Sequence, residues 1–129
     1  MKGLDELERE LAAARTAGQP AMLDLYADWC ISCKIMERSV FPRPEVAQQL
    51  RSFRLIRADV TPNDALDRQL LEAYGLFGPP TLMFFAADGG ELRDARIQGE
   101  IGAAALTAHL RAVLAAPSAT RVQEMAANL

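Results

Sequence analysis

Two cysteines stand two residues apart in the stretch LDLYADWCISCKIMER, residues 23–38, and Cys30 and Cys33 are the only cysteines of the chain. A pair at that spacing can cycle between dithiol and disulfide, or it can supply half of a zinc site. Structural zinc wants four ligands, and the single histidine, His109, lies far along the chain, near the flank of an apolar helical face. Redox exchange is therefore favoured over metal binding, and neither a metal nor another cofactor is expected. His109 reads as a partly exposed helix residue. A disulfide across so short a loop contributes little as a staple, which leaves reactivity as the reason for the pair.

The elements around the cysteines are suited to that chemistry. AMLDLYA (21–27) is a short apolar run that reads as a buried strand leading directly into Cys30, after which the pattern turns helical. Cys30 then falls at a helix N-terminus, where free N–H groups and the helix dipole favour a thiolate and present it to a partner. Cys33 follows one turn later, within reach of a mixed disulfide formed by Cys30. Downstream, GPPTLMFF enters a strand through Pro79 and Pro80. Such a strand start suits a cis X-Pro bond, which only proline tolerates at modest cost. The plainer alternative is that the two prolines merely break structure before the strand.

The remaining punctuation frames this unit. Leu4, Leu7, Leu11 and Ala14 recur at helical spacing, so about 4–16 reads as an amphipathic helix stopped near Gly18 and Pro20. Pro42 and Pro44 break the helix that follows the cysteines before PEVAQQL resumes. FRLIRADV (53–60) alternates as a strand. TPNDALDRQLLEAYG (61–75) carries helix punctuation, with Thr61 as N-cap, Pro62 at the first position and Gly75 at the end. Residues 81–99 read as a hairpin around Asp88-Gly89-Gly90. Ile101, Leu106, Leu110, Val113 and Leu114 mark a last helix ended by Pro117. The order α-β-α-β-α-β-β-α implies an α/β fold, a central mixed sheet covered by helices on both faces.

Three carboxylates, Asp24, Asp28 and Glu37, lie close in sequence to the cysteines. Glu37 is four residues past Cys33 and shares its helical face with Met36 and Val40, while Lys34 and Arg38 point elsewhere. A carboxylate on that apolar face is unusual. Asp24 alternates away from Leu23 and Leu25, toward either a covering helix or the reactive site. Asp28 reads as a solvated neighbour. Arg57, on the next strand, either pairs with Asp24 or stands exposed. Desolvated carboxylates beside Cys30 would disfavour its thiolate, against the pull of the helix dipole. A dithiol protonated at rest loses fewer electrons to wrong oxidants, because only the thiolate attacks. That suits a relay reductase that reacts only with chosen partners.

Bulk properties agree with one ordinary domain. The 129 residues are half hydrophobic and 24% charged, with a net charge of -3. That balance carries no basic footprint for nucleic acid or anionic membrane. The longest apolar run, TLMFFAA, is too short to span a bilayer, and MKGLDELERE does not read as a signal peptide. The expected context is a soluble polypeptide that is cytosolic, exported, or a domain of a longer chain.

Trp29 before the pair, Lys34 after it, Asp24 six residues upstream and Pro80-Thr81 opening a later strand together resemble the thioredoxin superfamily. Within it, MLDLYADWCISCKIMERSVFPRPEV and DVTPNDALDRQLLEAYGLFGPPTLMFF are similar to the C-terminal thioredoxin-like domain of the DsbD family of bacterial thiol:disulfide interchange proteins. The likeness covers about residues 20–112. It implies a thioredoxin fold over 1–117, with 118–129 a C-terminal tail that is either a short helix or frayed. It implies Cys30 as nucleophile and Cys33 as resolving cysteine, with Asp24 the superfamily's buried aspartate and Glu37 the additional carboxylate. Trp29, Ile31, Ser32, Pro79 and the cis-proline Pro80 would face the partner. Pro79 departs from the pattern, since an aliphatic residue is common there and its backbone usually pairs with the partner peptide. A proline has no N–H for that pairing.

The resemblance further implies a monomeric disulfide reductase domain. It would take electrons from a membrane-embedded partner domain and pass them to periplasmic disulfide acceptors. Two alternatives stand beside it: a free-standing thioredoxin-like reductase, periplasmic or cytoplasmic, and a redox-inert binding module on the same fold.

Overall fold

The structure, a computed structural model, describes residues 1–115. The expected tail at 118–129 lies outside the described residues. The elements are α1 (Gly3–Thr16), β1 (Ala21–Tyr26), α2 (Ile31–Ser39), α3 (Pro44–Leu50) and β2 (Arg54–Asp59), followed by α4 (Ala65–Tyr74), β3 (Thr81–Phe85), β4 (Ile97–Gln98) and α5 (Ala103–Ala115). They build the expected mixed α/β sheet, in the order β2-β1-β3-β4. β1 runs parallel to β2 and antiparallel to β3, and β4 pairs antiparallel with β3.

Alternation along the central strands feeds two separate cores. Leu23, Leu25, Met83 and Phe85 pack with Leu7 and Ala14 of α1 and Leu70 of α4 on one face. Met22, Leu82 and Phe84 pack on the other with Met36 of α2, Val46 of α3 and Leu106 and Leu110 of α5. Because β3 is covered on both sides, all five of its residues are buried. Burial of Phe84 alone contributes about 2–3 kcal/mol, and Phe53 meets its ring edge-on at 6.0 Å.

Two elements differ from their expected form. The cap of α4 is Asp64, not Thr61: Asp64 accepts the Asp67 N–H at 3.0 Å, and Asp67 accepts the Asp64 N–H in return. Thr61 is unavailable because its hydroxyl donates to Asp59 and accepts the Asp28 N–H at 2.8 Å. Asn63, at a left-handed φ of 50°, also interrupts any helix begun at Pro62. The hairpin after β3 is likewise broken. Its second arm touches β3 at Glu91, leaves it through a 3-10 turn at Arg93–Ala95, and rejoins as the two residues of β4. His109 is packed against Phe84, with its Nε2 2.6 Å from the Ala95 carbonyl oxygen, so it ties α5 to that turn.

Candidate functional site: the dithiol and its charged neighbours

Local chemistry places the cysteines. β1 ends at Tyr26, a turn closes with the Cys30 N–H on the Ala27 carbonyl at 3.1 Å, and α2 begins at Ile31. Cys30 is the N-cap of α2, and its sulfur accepts the Cys33 N–H at 3.1 Å. The two cysteines are joined in a disulfide, with their Cα atoms 5.2 Å apart. Cys30 is more covered than its helix-terminal position leads one to expect, at 7% exposed against 4% for Cys33. As N-cap its side chain folds back over the first turn, and the disulfide covers it further. Trp29 and Ile31 beside it hold the surface instead.

The end of the sheet that carries the cysteines also carries Pro79 and Pro80. β3 starts at Thr81, which pairs with Leu25 near the end of β1, so both loops emerge on the same side. The Pro79–Pro80 bond is cis. The Gly99 N–H binds the Pro80 carbonyl at 3.0 Å, and the Thr81 hydroxyl donates to the Gly78 carbonyl at 2.7 Å. Phe77, Pro79, Pro80 and Gly99 help line a shallow groove of about 280 Å³. Phe77 is 93% exposed, a large aromatic that the sequence reading passed over. Its position in a Gly-Pro-Pro loop, outside any periodic run, was the available signal.

The carboxylates do not stand alone. Asp24 lies opposite Arg57 in the β1–β2 register. Arg57 donates from Nε and Nη2 to Asp24 Oδ2 at 3.2 and 3.0 Å, and from Nη1 to Glu37 Oε1 at 2.8 Å. Its guanidinium carbon also sits 4.2 Å from the Tyr26 ring centroid, a cation–π contact. Of the two readings open for Arg57, pairing is the one observed, and it extends to Glu37. Glu37 is accordingly half-exposed, reaching from α2 toward the edge strand β2 instead of lying inside the apolar face.

Burial pushes the Asp24 carboxyl above its ordinary value; Arg57 works against that rise, and the charge of Glu37 adds to it. Burial also disfavours the Arg57 charge, but the bonds and charges of Glu37 and Asp24 outweigh it and raise the guanidinium further. Lys34 does not point away from the site. It donates to the Tyr26 hydroxyl, which donates to Asp28 at 2.8 Å. Asp28 is exposed, as expected, yet its N–H on Thr61 and the Trp29 indole N–H on the Thr61 carbonyl tie the turn before Cys30 to the end of β2. Ser32 lies in the first turn of α2 between the cysteines. Among the described residues, no cluster of His, Cys, Asp or Glu could hold a metal, and no helix is long and apolar enough to cross a membrane.

Known proteins are similar to this chain in sequence and fold. A family model described as thioredoxin-like matches residues 3–87. The thiol:disulfide interchange protein DsbD 1 of Pseudomonas aeruginosa is 51% identical over 106 residues, which are 82% of this chain and 18% of that protein. DsbD of Vibrio vulnificus is 42% identical over 113 residues, 88% of this chain and 19% of its own length. The chain thus spans less than a fifth of these relatives. Among solved structures, the reduced C-terminal domain of Neisseria meningitidis DsbD superposes with a TM-score of 0.72 at 34% identity, covering 84% of this chain and 94% of that domain. A thioredoxin from Thermus thermophilus reaches the same TM-score at 25% identity, over 84% of this chain and 83% of its own. With a family model matched over 3–87 and a solved domain matched over nearly its whole length at 34% identity, this chain belongs to the thioredoxin-like family and, within it, to the C-terminal domains of DsbD.

Proposed function

We propose that this chain is a thiol:disulfide oxidoreductase domain that relays two electrons at a time through Cys30 and Cys33. The observation that carries the reading is the disulfide across the first turn of α2, with the Cys33 N–H on the Cys30 sulfur. In the reduced state that N–H, the other free N–H groups of the turn and the helix dipole favour charge on Cys30 over Cys33. Cys30 is the nucleophile. Its thiolate attacks one sulfur of a partner disulfide, forming a mixed disulfide and releasing the other partner sulfur as a thiolate that takes up a proton. Cys33, deprotonated, then attacks Cys30, restoring the internal disulfide and releasing the second partner thiol. The partner gains two electrons and two protons, and this domain loses them. A donor dithiol reverses the sequence and recharges the pair.

Trp29, Ile31, Ser32, Pro79 and Pro80 form the face that receives the partner chain. Pro79 offers that chain a carbonyl and no N–H, so apolar contact with the loop carries more of the recognition. Asp24 and Glu37 act on the dithiol through their charge, keeping the thiols protonated until a partner docks. By its likeness to DsbD, the domain works as a monomer at the periplasmic side of a bacterial inner membrane. A membrane-embedded domain supplies its electrons, and periplasmic disulfides receive them.

The test is insulin reduction by the protein with an excess of small dithiol, together with thiol counting. Two thiols per chain should appear on mild reduction and disappear on exposure to a protein disulfide. A redox-inert binding module would leave insulin turbidity at its background rate.

A further inference from the structure

The partner-facing groove has two walls from distant parts of the chain, the loop from Phe77 to Pro80 on one side and Gln98 with Gly99 on the other. We propose that Arg96 is a positioning residue for that groove, fixing both walls at their roots so that a protein disulfide meets them in one arrangement. The inference rests on the oxidoreductase reading above and assigns it a further residue.

Tyr74 ends α4 shortly before Phe77, and Arg96 directly precedes β4, which carries Gln98. The Tyr74 carbonyl lies in the last turn of its helix, where carbonyls lack an intrahelical partner. Arg96 Nη1 donates to it at 2.9 Å, and a cation is favoured at that end of the helix dipole. Nε and Nη2 bind Glu91 Oε2 and Oε1 at 2.6 and 2.9 Å, a bidentate geometry that suits a planar fork and not an ammonium. The Arg96 and Glu91 side chains are only 11% and 17% exposed, so salt screens the pair little. Glu91 is itself bridged to Phe85 at the far end of β3, and the Tyr74 ring meets Phe85 edge-on at 6.5 Å. The guanidinium is thus anchored to the sheet while it holds the root of the loop. β4 is only two residues long, and a backbone bond from the Gly99 N–H to the Pro80 carbonyl joins the walls near the rim. Without Arg96, docking must itself order the loop. That cost falls on affinity and not on the exchange chemistry.

Insulin reduction with excess dithiothreitol, together with amide hydrogen exchange, tests this for wild type, Arg96→Gln, Glu91→Gln, and Arg96→Gln combined with Phe77→Ala. Arg96→Gln should raise KM for insulin about fivefold and change kcat by less than about twofold. Glu91→Gln, which leaves the guanidinium one acceptor, should raise KM about twofold. In the Phe77→Ala background the effect of Arg96→Gln should fall below about twofold, because the wall it positions has lost its side chain. Exchange at the Gly99 amide should quicken about tenfold in Arg96→Gln while the β1 amides keep their protection, which separates a loosened groove from a destabilised fold. An unchanged KM, an equal loss in kcat, an undiminished effect beside Phe77→Ala, or an unchanged Gly99 exchange overturns the proposal. Should Arg96→Gln not fold, Glu91→Gln carries the same readouts, and no change in KM or in Gly99 exchange overturns it. If wild type fails to reduce insulin, the oxidoreductase reading falls, and Gly99 exchange still decides whether Arg96 holds the groove.

Discussion

Asp24 and Arg57 face each other across the parallel strands β1 and β2, and the guanidinium gives that largely covered carboxylate two N–H bonds at 3.2 and 3.0 Å. A carboxylate in a covered position would ordinarily shed its charge. Here a neighbouring strand supplies the partner that works against that loss. The result is a charged group retained at a cost in stability, and its proposed action on the dithiol has consequences for reactivity as well as folding.

The first consequence concerns the cysteines. Replacing Cys33 by Ser should trap mixed disulfides through Cys30, because the resolving thiol is gone while the favoured nucleophile remains. Replacing Cys30 by Ser should trap several-fold less. Non-reducing electrophoresis with a disulfide-bearing partner distinguishes the two, and equal trapping would reverse or abolish the assigned roles.

The carboxylates should tune the thiol. Without the carboxylates' influence, a helix-terminal Cys30 should ionise below the free cysteine value of about 8.5; the charges of Asp24 and Glu37 should hold it above that value. Asp24→Asn and Glu37→Gln should each lower the Cys30 pKa, Asp24→Asn by about one unit and Glu37→Gln by less, since Glu37 is more exposed to screening. Ultraviolet titration of the reduced protein reads both shifts. A wild-type value below about 7 would remove the carboxylates from the mechanism.

Stability should follow Asp24 in the opposite sense to a paired surface carboxylate. Its pKa is raised in the folded chain, so between the ordinary Asp value and the raised one the folded state holds a proton that the unfolded state has released. Stability therefore falls as pH climbs through that window, and the full cost is present above it. Asp24→Asn should be more stable than wild type at pH 7. The advantage should vanish as pH drops below about 3.9, where both states of the wild type are protonated. Urea midpoints across pH measure this, and a less stable variant at pH 7 would show that the Arg57 pairing outweighs the burial.

Phe77 should matter to partners and not to folding. At 93% exposed it contributes almost nothing to the core, so Phe77→Ala should leave stability within about 0.5 kcal/mol. Reduction of a protein disulfide should slow several-fold, while exchange with a small dithiol should be unaffected. Parallel loss of both rates would place Phe77 in the chemistry instead of the docking face.

What the sequence by itself determined is what short-range physics encodes. Cysteine spacing after an apolar strand marks the dithiol, consecutive prolines mark the entry to a strand while leaving a cis bond and a plain break both open, and Gly75 and Pro44 mark helix boundaries, because each residue acts on backbone within a turn of itself. The Asp64 cap was missed for a tertiary reason: Thr61, also a capping residue, is drawn off by Asp59 and Asp28. Cys30 could be placed at a helix N-terminus, but not how far its sulfur is covered, since that depends on the side chain folding back over α2 and on the disulfide. The clamp at Arg57 lay furthest from sequence reasoning. It joins residues 33 and 20 positions apart, and no local periodicity distinguishes an arginine exposed on an edge strand from one that bridges two carboxylates. Only the packing of α2 against the sheet, with β2 in parallel register beside β1, brings one guanidinium within reach of both.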